Sequence, residues 1–348
     1  MRNARLVCLV FLLGALLCLP LGAQSFTGAI TGTARDATGA AVPATQVTLI
    51  HINTNEKRTQ ETSAEGTYTF PILPPGAYRL EAERAGFKKY VRPEITVEVN
   101  QRPVIDIVLE VGDITQSIEV KDVTPLLQSA TSSLGQVVDS RRILELPLVG
   151  RNTLALIGLT AGAQPIGQFG GIASRTNAYN QGFFSTSGSQ VLTNETLIDG
   201  APANAALFNA PAYVPVVDGV QEFKVQTNTL SAEFGRTGGG VVNIVTRSGD
   251  NQLRGSLYEF FRNDKLDANN WFNNRAGRAK PHNSFNQFGA TAGGPMVLPG
   301  YNGKDKSFWF FNYEGLRDSR GLTQLFTVPT TEQLEGDFSR TLNAAGQL

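Results

Sequence analysis

The apolar residues of this 348-residue chain come in short runs, and this limits what the chain can fold into. Outside the N-terminus, no run approaches the roughly 20 apolar residues that a transmembrane helix needs. Most runs contain β-branched or aromatic residues and are separated by glycine, proline or asparagine. This pattern is typical of β-strands joined by turns. The sequence therefore predicts a mainly β protein of two or three domains.

Composition and charge exclude two broad classes of protein. Hydrophobic residues make up 41% of the chain, which is enough for a packed core and argues against a disordered protein. Thirty basic residues balance thirty acidic ones. A dedicated nucleic-acid-binding protein should carry a basic excess, so no nucleic-acid partner is expected.

The first 23 residues have the pattern of a signal peptide. Arg2 and Arg5 form a basic region, and Leu6–Leu19 form an apolar region. An uncleaved membrane anchor is an alternative, although the apolar run is short for one. A lipoprotein signal would need a small residue in place of Leu17. We expect the chain to be exported.

Few residues remain for catalysis or metal binding after export. Both cysteines, Cys8 and Cys18, lie in the signal, which excludes disulfides, thiol catalysis and cysteine-bound metals in the mature chain. The two histidines, His51 and His282, are far apart and lack neighbours at ligand spacing. No metal site and no cofactor is predicted. A Ser-His-Asp triad stays open, although no Gly-x-Ser-x-Gly motif supports it.

Residues 24–112 have the pattern of a small β-sandwich. Seven short strands between turn signals fit two packed sheets. The predicted strands are Gly28–Arg35, Thr45–His51, Lys57–Ser63, Thr67–Pro71, Ala77–Arg84, Glu94–Val99 and Val104–Glu110.

This stretch resembles the carboxypeptidase-regulatory-like domain, a transthyretin-like β-sandwich. The resemblance lies in residues 30–36, 66–70 and 73–78, including Tyr68, Phe70 and Tyr78 as core residues. The family is grouped with carbohydrate-binding-like folds, but no aromatic platform for sugars is evident. In carboxypeptidases such a domain performs no chemistry, and the resemblance here implies a folding or docking module.

The sequence pattern of residues 113–249 predicts a small α+β domain with long polar connections. Ile114–Lys121 has the pattern of a strand, and Ser140–Glu145 that of a short helix with Asp139 or Ser140 as its N-cap. Leu154–Leu159 is a second helix candidate. Three further strands are predicted at Glu195–Ile198, Gln221–Gln226 and Gly240–Thr246, and the polar stretch Gln164–Thr193 is predicted to form loops or to be disordered.

This second stretch resembles the plug of TonB-dependent outer-membrane receptors. The resemblance lies in residues 147–152, 196–200 and 220–247. Its glycine-rich bend suggests places where backbones approach closely or adopt positive φ. The plug-motif residues are Arg151, Asp199, Gly200, Glu222, Gly235, Gly238, Gly239, Gly240, Asn243 and Arg247.

Residues 250–348 predict the first strands of a membrane β-barrel. Four runs, Leu253–Arg262, Asn286–Gly294, Ser307–Leu316 and Thr323–Val328, have strand patterns, and the third is aromatic on both faces. Short strands with aromatic girdles and polar connections are typical of outer-membrane barrels. A soluble sheet covered by the rest of the chain is the alternative. Residues 255–264, 286–290 and 313–317 resemble the opening barrel strands of Oar-like TonB-dependent receptors, which also carry the N-terminal sandwich.

Four strands cannot close a barrel, since single-chain outer-membrane barrels start at about eight. We therefore expect this chain to be the N-terminal part of a longer receptor and not to transport alone. Supply of the missing strands by separate chains is the alternative.

The resemblance implies an importer in the outer membrane, with lipid around its barrel, a periplasmic N-terminal domain and TonB as its energy-transducing partner. The candidate TonB box is Gln116–Asp122, with Ser117, Ile118, Glu119, Val120 and Lys121 as its core. A plug strand or a linker is the alternative for this segment. Asp199 and Glu222 are candidates for polar contacts between plug and barrel, with Arg151 or Arg247 as basic partners. The substrate stays open among iron chelates, vitamins, sugars and peptides.

Two other functions stay open on the sequence alone. One is a periplasmic or cell-surface interaction protein that docks a partner through its sandwich. The other is a peptidase, which is suggested only by the name of the family that the sandwich resembles. We expect no enzymatic activity.

Overall fold

The computed structural model describes residues 27–113, 117–119, 133–146, 148, 151–166, 183–206, 209–235, 237–321 and 328–341. The expected signal peptide lies outside the described residues. So do Val120 and Lys121, and most of the predicted strand Thr323–Val328. The described chain is mainly β, as the sequence predicted.

The strands are numbered in chain order. They are β1 (Gly28–Asp36), β2 (Gln46–His51), β3 (Lys57–Glu61), β4 (Thr67–Leu73), β5 (Gly76–Glu83), β6 (Lys89–Val97), β7 (Ile107–Leu109), β8 (Ser117–Glu119), β9 (Leu134–Val138), β10 (Ala163–Ile166), β11 (Phe183–Thr186), β12 (Glu195–Ile198), β13 (Ala201–Pro202), β14 (Asn204–Ala205), β15 (Ala210–Pro211), β16 (Val220–Asn228), β17 (Val241–Thr246), β18 (Arg254–Asn263), β19 (Asn283–Pro295), β20 (Val297–Leu298), β21 (Tyr301–Asn302) and β22 (Phe308–Arg320). The helices are α1 (Ser140–Glu145), α2 (Trp271–Arg275) and α3 (Thr331–Leu334), with 3₁₀ turns at Thr153–Leu159 and Val217–Gly219.

Residues 27–112, called the sandwich below, form two sheets around one apolar core, and the later strand β8 adds to the second sheet. The first sheet has the order β4-β1-β7 and the second the order β3-β2-β5-β6-β8. β1 runs antiparallel to β4 and parallel to β7. Inward side chains alternate along the strands, and Tyr68 at the core centre donates its hydroxyl to Ile105 O at 2.6 Å. All seven predicted strands form.

Several strand bounds in the sandwich differ from the predicted ones, and the start of β6 differs most. β6 begins at Lys89 rather than at Glu94, and the strand includes Pro93. The register between β5 and β6 shifts at this point: Tyr78 faces Ile95, whereas Leu80 faces Arg92. A bulge accommodates a proline that cannot donate to the ladder, so the proline does not end the strand.

Residues 133–249, called the central domain, are built on the mixed sheet β13-β12-β17-β16-β9. One face of this sheet packs against α1 and the 3₁₀ turn Thr153–Leu159, and its core includes Ile143, Leu154 and Phe223. α1 has the predicted bounds, and its N-cap is Asp139, whose carboxylate accepts from Arg142 N at 2.9 Å. The second predicted helix is the 3₁₀ turn, capped by Asn152.

The remaining strands include the sheet β18-β19-β22, whose three members match the first three strands predicted for this region. The polar segment after β18 contains the one-turn helix α2. Large apolar side chains are exposed on β18, including Leu257 and Phe261. Among the described helices, none combines the length and the apolar character that a membrane-crossing helix requires.

The chain divides into two compact units. One runs up to Ser256 and takes in Thr291–Asn312; the other comprises Leu257–Ala290 and the chain from Tyr313 onward. The sandwich and the central domain thus lie in the same unit. They lie in one unit because the sandwich contacts the second face of the central sheet.

Candidate functional site

The central sheet brings together several of the motif residues. β12 and β17 run parallel, and Asp199 with Gly200 forms the turn that follows β12. Both turn residues have positive φ, 48° and 78°. The Asp199 carboxylate accepts from Thr246 N at 2.9 Å and from Thr246 Oγ1 at 2.6 Å. Asp199 therefore fixes the turn after β12 to the end of β17.

The two arginines of the motif have partners other than those that the sequence suggested. Arg151 forms a buried ion pair with Asp218, which follows the 3₁₀ residue Val217. Arg247 donates to Val220 O at 3.1 Å and to Ser140 Oγ at 2.6 Å. Burial lowers the pKa of Arg247, and the nearby Asp218 carboxylate opposes this. The expected pairing of these arginines with Asp199 or Glu222 is therefore replaced by contacts inside the central domain.

Glu222 also has a partner that the sequence did not suggest. It lies on β16 and accepts a hydrogen bond from the backbone of Val99, in the sandwich. Burial raises the pKa of Glu222 to about 7, and the Glu98 and Asp139 carboxylates add to this. The polar contact of Glu222 is thus made with the sandwich, not with a barrel strand.

The four glycines of the glycine-rich bend, Gly235, Gly238, Gly239 and Gly240, fall into two pairs. A Cβ on Gly240 would lie 2.6 Å from Gln226 O and 2.7 Å from Thr186 Oγ1, and one on Gly239 would meet Asn194. Gly235 and Gly238 have open space around the same position. None of the four has a positive φ. Of these four glycines, Gly240 therefore shows the close backbone approach expected from the sequence, whereas Gly239 lies against side chains.

Alanine substitutions separate these two pairs experimentally. We expect Gly240→Ala to destabilise the central domain by about 1–3 kcal/mol, because the added methyl group overpacks against the β16 backbone. Gly238→Ala is the matched control and should be neutral or stabilise by up to about 1 kcal/mol, since it restricts the unfolded chain. Hydrogen exchange of the β17 amides measures both. Equal effects of the two substitutions would contradict the conclusion that Gly240 is crowded whereas Gly238 has open space around it.

Sequence reasoning missed two polar residues that organise this region. Asp218 gives no signal beyond an Asp-Gly turn. Asn194 accepts from Thr186 Oγ1 and from Gly240 N, both at 2.8 Å, and so holds the glycine-rich bend against the preceding loop. A single buried asparagine in a polar stretch has no periodic pattern that would mark it.

The candidate TonB box forms the edge of the second sandwich sheet in its described part. Ser117, Ile118 and Glu119 make up β8, which pairs in parallel with Lys89–Val91 of β6. Val120 and Lys121 lie outside the described residues. β8 is the terminal strand in the sheet order, so its outer backbone edge faces no further described strand.

A cleft of about 1020 Å³ lies inside the first compact unit. Its lining includes His51, Gln221, Arg247 and Phe308. The polar groups at its wall are engaged: His51 Nδ1 is within 2.9 Å of Thr54 Oγ1, and Arg247 is bonded as described above. Among the described residues no group of three or more His, Cys, Asp or Glu side chains is arranged to hold a metal ion.

Comparison with known proteins gives two family matches and one relative. Residues 29–110 match the carboxypeptidase regulatory-like domain, and residues 245–347 match the outer membrane beta barrel domain. The chain is 30% identical over 295 residues to the TonB-dependent transporter Oar of Myxococcus xanthus. This match covers 83% of this chain and 26% of that protein. The chain thus spans about a quarter of the length of this relative.

Two solved receptor structures are similar to the chain at low scores. The siderophore receptor PirA of Acinetobacter baumannii is 17% identical, with a TM-score of 0.33, over 49% of this chain and 23% of its own. The ferric enterobactin receptor of Pseudomonas aeruginosa is 16% identical, also with a TM-score of 0.33, over 47% of this chain and 22% of its own.

Proposed function

We propose that this chain is a member of the Oar-like TonB-dependent receptors of the outer membrane, and that it forms the sandwich, the plug and the first membrane strands of an active importer. The observation that carries this proposal is the 30% identity to a TonB-dependent transporter over 83% of the chain. The sandwich then faces the periplasm. The central domain is the plug, and the chain has no enzymatic activity of its own.

Energy coupling is proposed to start at the TonB box, Ser117–Lys121. TonB binds its receptors by adding a strand, and strand addition needs a backbone edge with free donors and acceptors. β8 supports the assignment, because Ser117–Glu119 already adopts strand geometry at the end of a sheet. TonB is therefore expected to contact this segment through its backbone.

Transport requires a closed wall around the plug. In hydrocarbon every backbone N–H and C=O needs a partner, so a spanning sheet must close on itself. The sheet β18-β19-β22 supplies three strands in the described part of the chain, whereas about eight is the minimum for single-chain barrels. We propose that further strands complete the importer. The substrate class stays open among iron chelates, vitamins, sugars and peptides.

Site-specific crosslinking in the native host tests the TonB-box assignment without a known substrate. The chain has cysteines only at Cys8 and Cys18, inside the predicted signal, so a single introduced cysteine is unique after export. Ser117→Cys and Glu119→Cys, labelled with a benzophenone maleimide, should form an adduct with TonB on illumination. Thr131→Cys, in the same connecting segment, is the control.

The adduct is detected with an antibody against TonB. We expect it from positions 117 and 119 at a level several times that from position 131. Equal labelling at all three positions, or none at any, would exclude this segment as the TonB box.

A further inference from the structure

The central sheet has two chemically different faces. Along β16, Phe223 and Val225 point into the apolar core, whereas Glu222, Lys224 and Gln226 alternate onto the opposite face. Asn243 of β17 lies directly opposite Lys224 and shares that face. Such a strand would ordinarily present its polar side chains to water. Here all four polar residues are buried, and Lys224 is only 2% exposed.

The tip of the sandwich, residues 98–101, covers this polar face. Val99 N donates to the Glu222 carboxylate. Lys224 Nζ donates to Asn100 O at 3.1 Å, and Asn243 Nδ2 donates to Asn100 Oδ1 at 3.2 Å. Asn100 has a φ of +52°, which turns its carbonyl and side chain toward the sheet. The contact therefore includes three hydrogen bonds to the polar side chains of the central sheet.

Several groups in this contact are left without a partner. Asn100 Nδ2, Asn243 Oδ1 and Gln226 Oε1 are buried and have no hydrogen bond within the described structure. A buried polar group that loses its water and gains no partner destabilises the buried state. Separation of the two domains would hydrate all three. Interfaces within a chain that are polar in this way allow relative domain motion.

We propose that residues 98–101 and the polar face of the central sheet form a detachable latch, with Glu222, Lys224 and Asn243 as the receiving side chains. The sandwich and the central domain are then two bodies that separate while each stays folded. The separation of the two domains does not depend on transport, so its test is independent of the proposed function.

The charges in the latch give the separation a pH dependence. Burial and the nearby Glu98 and Asp139 raise the pKa of Glu222 to about 7, with Lys224 opposing. Burial also raises the pKa of Glu98 and lowers that of Lys224. A carboxyl group with a raised pKa stabilises docking fully below its ordinary pKa, and this stabilisation is lost as pH rises toward 7. Docking should therefore weaken between about pH 4.5 and pH 7.

Hydrogen exchange of the Val99 amide reports on the latch, because this N–H is bonded to Glu222 in the docked state only. The full-length chain is compared with Glu222→Gln at each pH, which cancels the intrinsic pH dependence of exchange and isolates Glu222 from Lys224 and Glu98. From pH 5 to pH 8 the wild type should lose roughly 50-fold more protection at Val99 than the variant, as the linkage of a pKa near 7 to docking requires.

A second measurement needs no variant. In the wild type, Val99 should exchange faster than the Ile244 amide of the central sheet, which opens only when the sheet itself unfolds. Equal exchange of Val99 and Ile244 would overturn the proposal, because it would mean that the domains separate only on unfolding. The same pH dependence in the wild type and in Glu222→Gln would also overturn it.

Discussion

Asp218→Ala is expected to lower the free energy of unfolding of the central domain by about 3–5 kcal/mol, because it breaks the buried ion pair between Asp218 and Arg151. Both side chains of the pair are only 11% exposed. The Asp218 carboxylate also acts on the half-buried Arg247, whose pKa it raises against the effect of burial. Hydrogen exchange of the β16 amides measures the effect. Each 1.4 kcal/mol changes the opening equilibrium constant about tenfold, so the protection of these amides from exchange should fall by roughly a hundredfold or more.

The control is an ion pair of the same kind on the surface of the same domain. Arg141 and Glu145 are paired at 3.0 Å across one turn of α1 and are largely exposed. Glu145→Gln should change stability by less than about 1 kcal/mol, because solvent screens such pairs. A loss at Asp218 no greater than the loss at Glu145 would show that the Arg151–Asp218 pair does not hold the central domain together.

The second large effect is expected at Phe223, whose side chain is fully buried on the apolar face of β16. Phe223→Ala should cost about 3–5 kcal/mol, since it removes the transfer free energy of the ring and leaves a cavity. Thermal unfolding of the purified chain, followed by near-ultraviolet circular dichroism, detects the lowered midpoint. The polar face of the same strand is not altered by this substitution.

Phe234→Ala is the matched comparison. Phe234 packs in a separate small cluster with Leu197 and Val241, next to the partly buried Leu230. A cavity there can collapse more readily, so the cost should lie at or below about 3 kcal/mol. If the two substitutions were equally costly, the larger cluster around Phe223 would not be the principal core of this domain.

The local structure was predictable where a short-range signal fixes it. Asp139 before Ser140–Glu145 offers an N-cap side chain, and the helix forms over the predicted residues. Alternation fixed the faces of β16, whose Phe223 and Val225 are in the core. Pro93 misled the boundary of β6, because a proline in a bulge gives the same local signal as a proline that ends a strand.

The contacts between distant segments were not predictable. Glu222, Lys224 and Gln226 have the pattern of a solvent-facing strand edge, and nothing near them in sequence announces the covering tip 98–101 about 120 residues earlier. Asp218 is an ordinary turn residue until the fold places Arg151 beside it. Pairings of this kind depend on tertiary approach, which a single sequence does not encode as a periodic pattern.

The position of β1 sets the order in which the sandwich is able to assemble. β1 is the first strand in the described part of the chain, yet it is the central strand of its sheet, between β4 and the parallel β7. Its partner Ile107–Leu109 lies more than 70 residues later, and loop closure over such a separation slows folding. In an exported chain the strand that crosses first must therefore wait, unpaired on one side, until nearly the whole sandwich has been translocated. A strand waiting in this state is open to aggregation, so periplasmic holding factors would matter most for the earliest part of this protein to emerge.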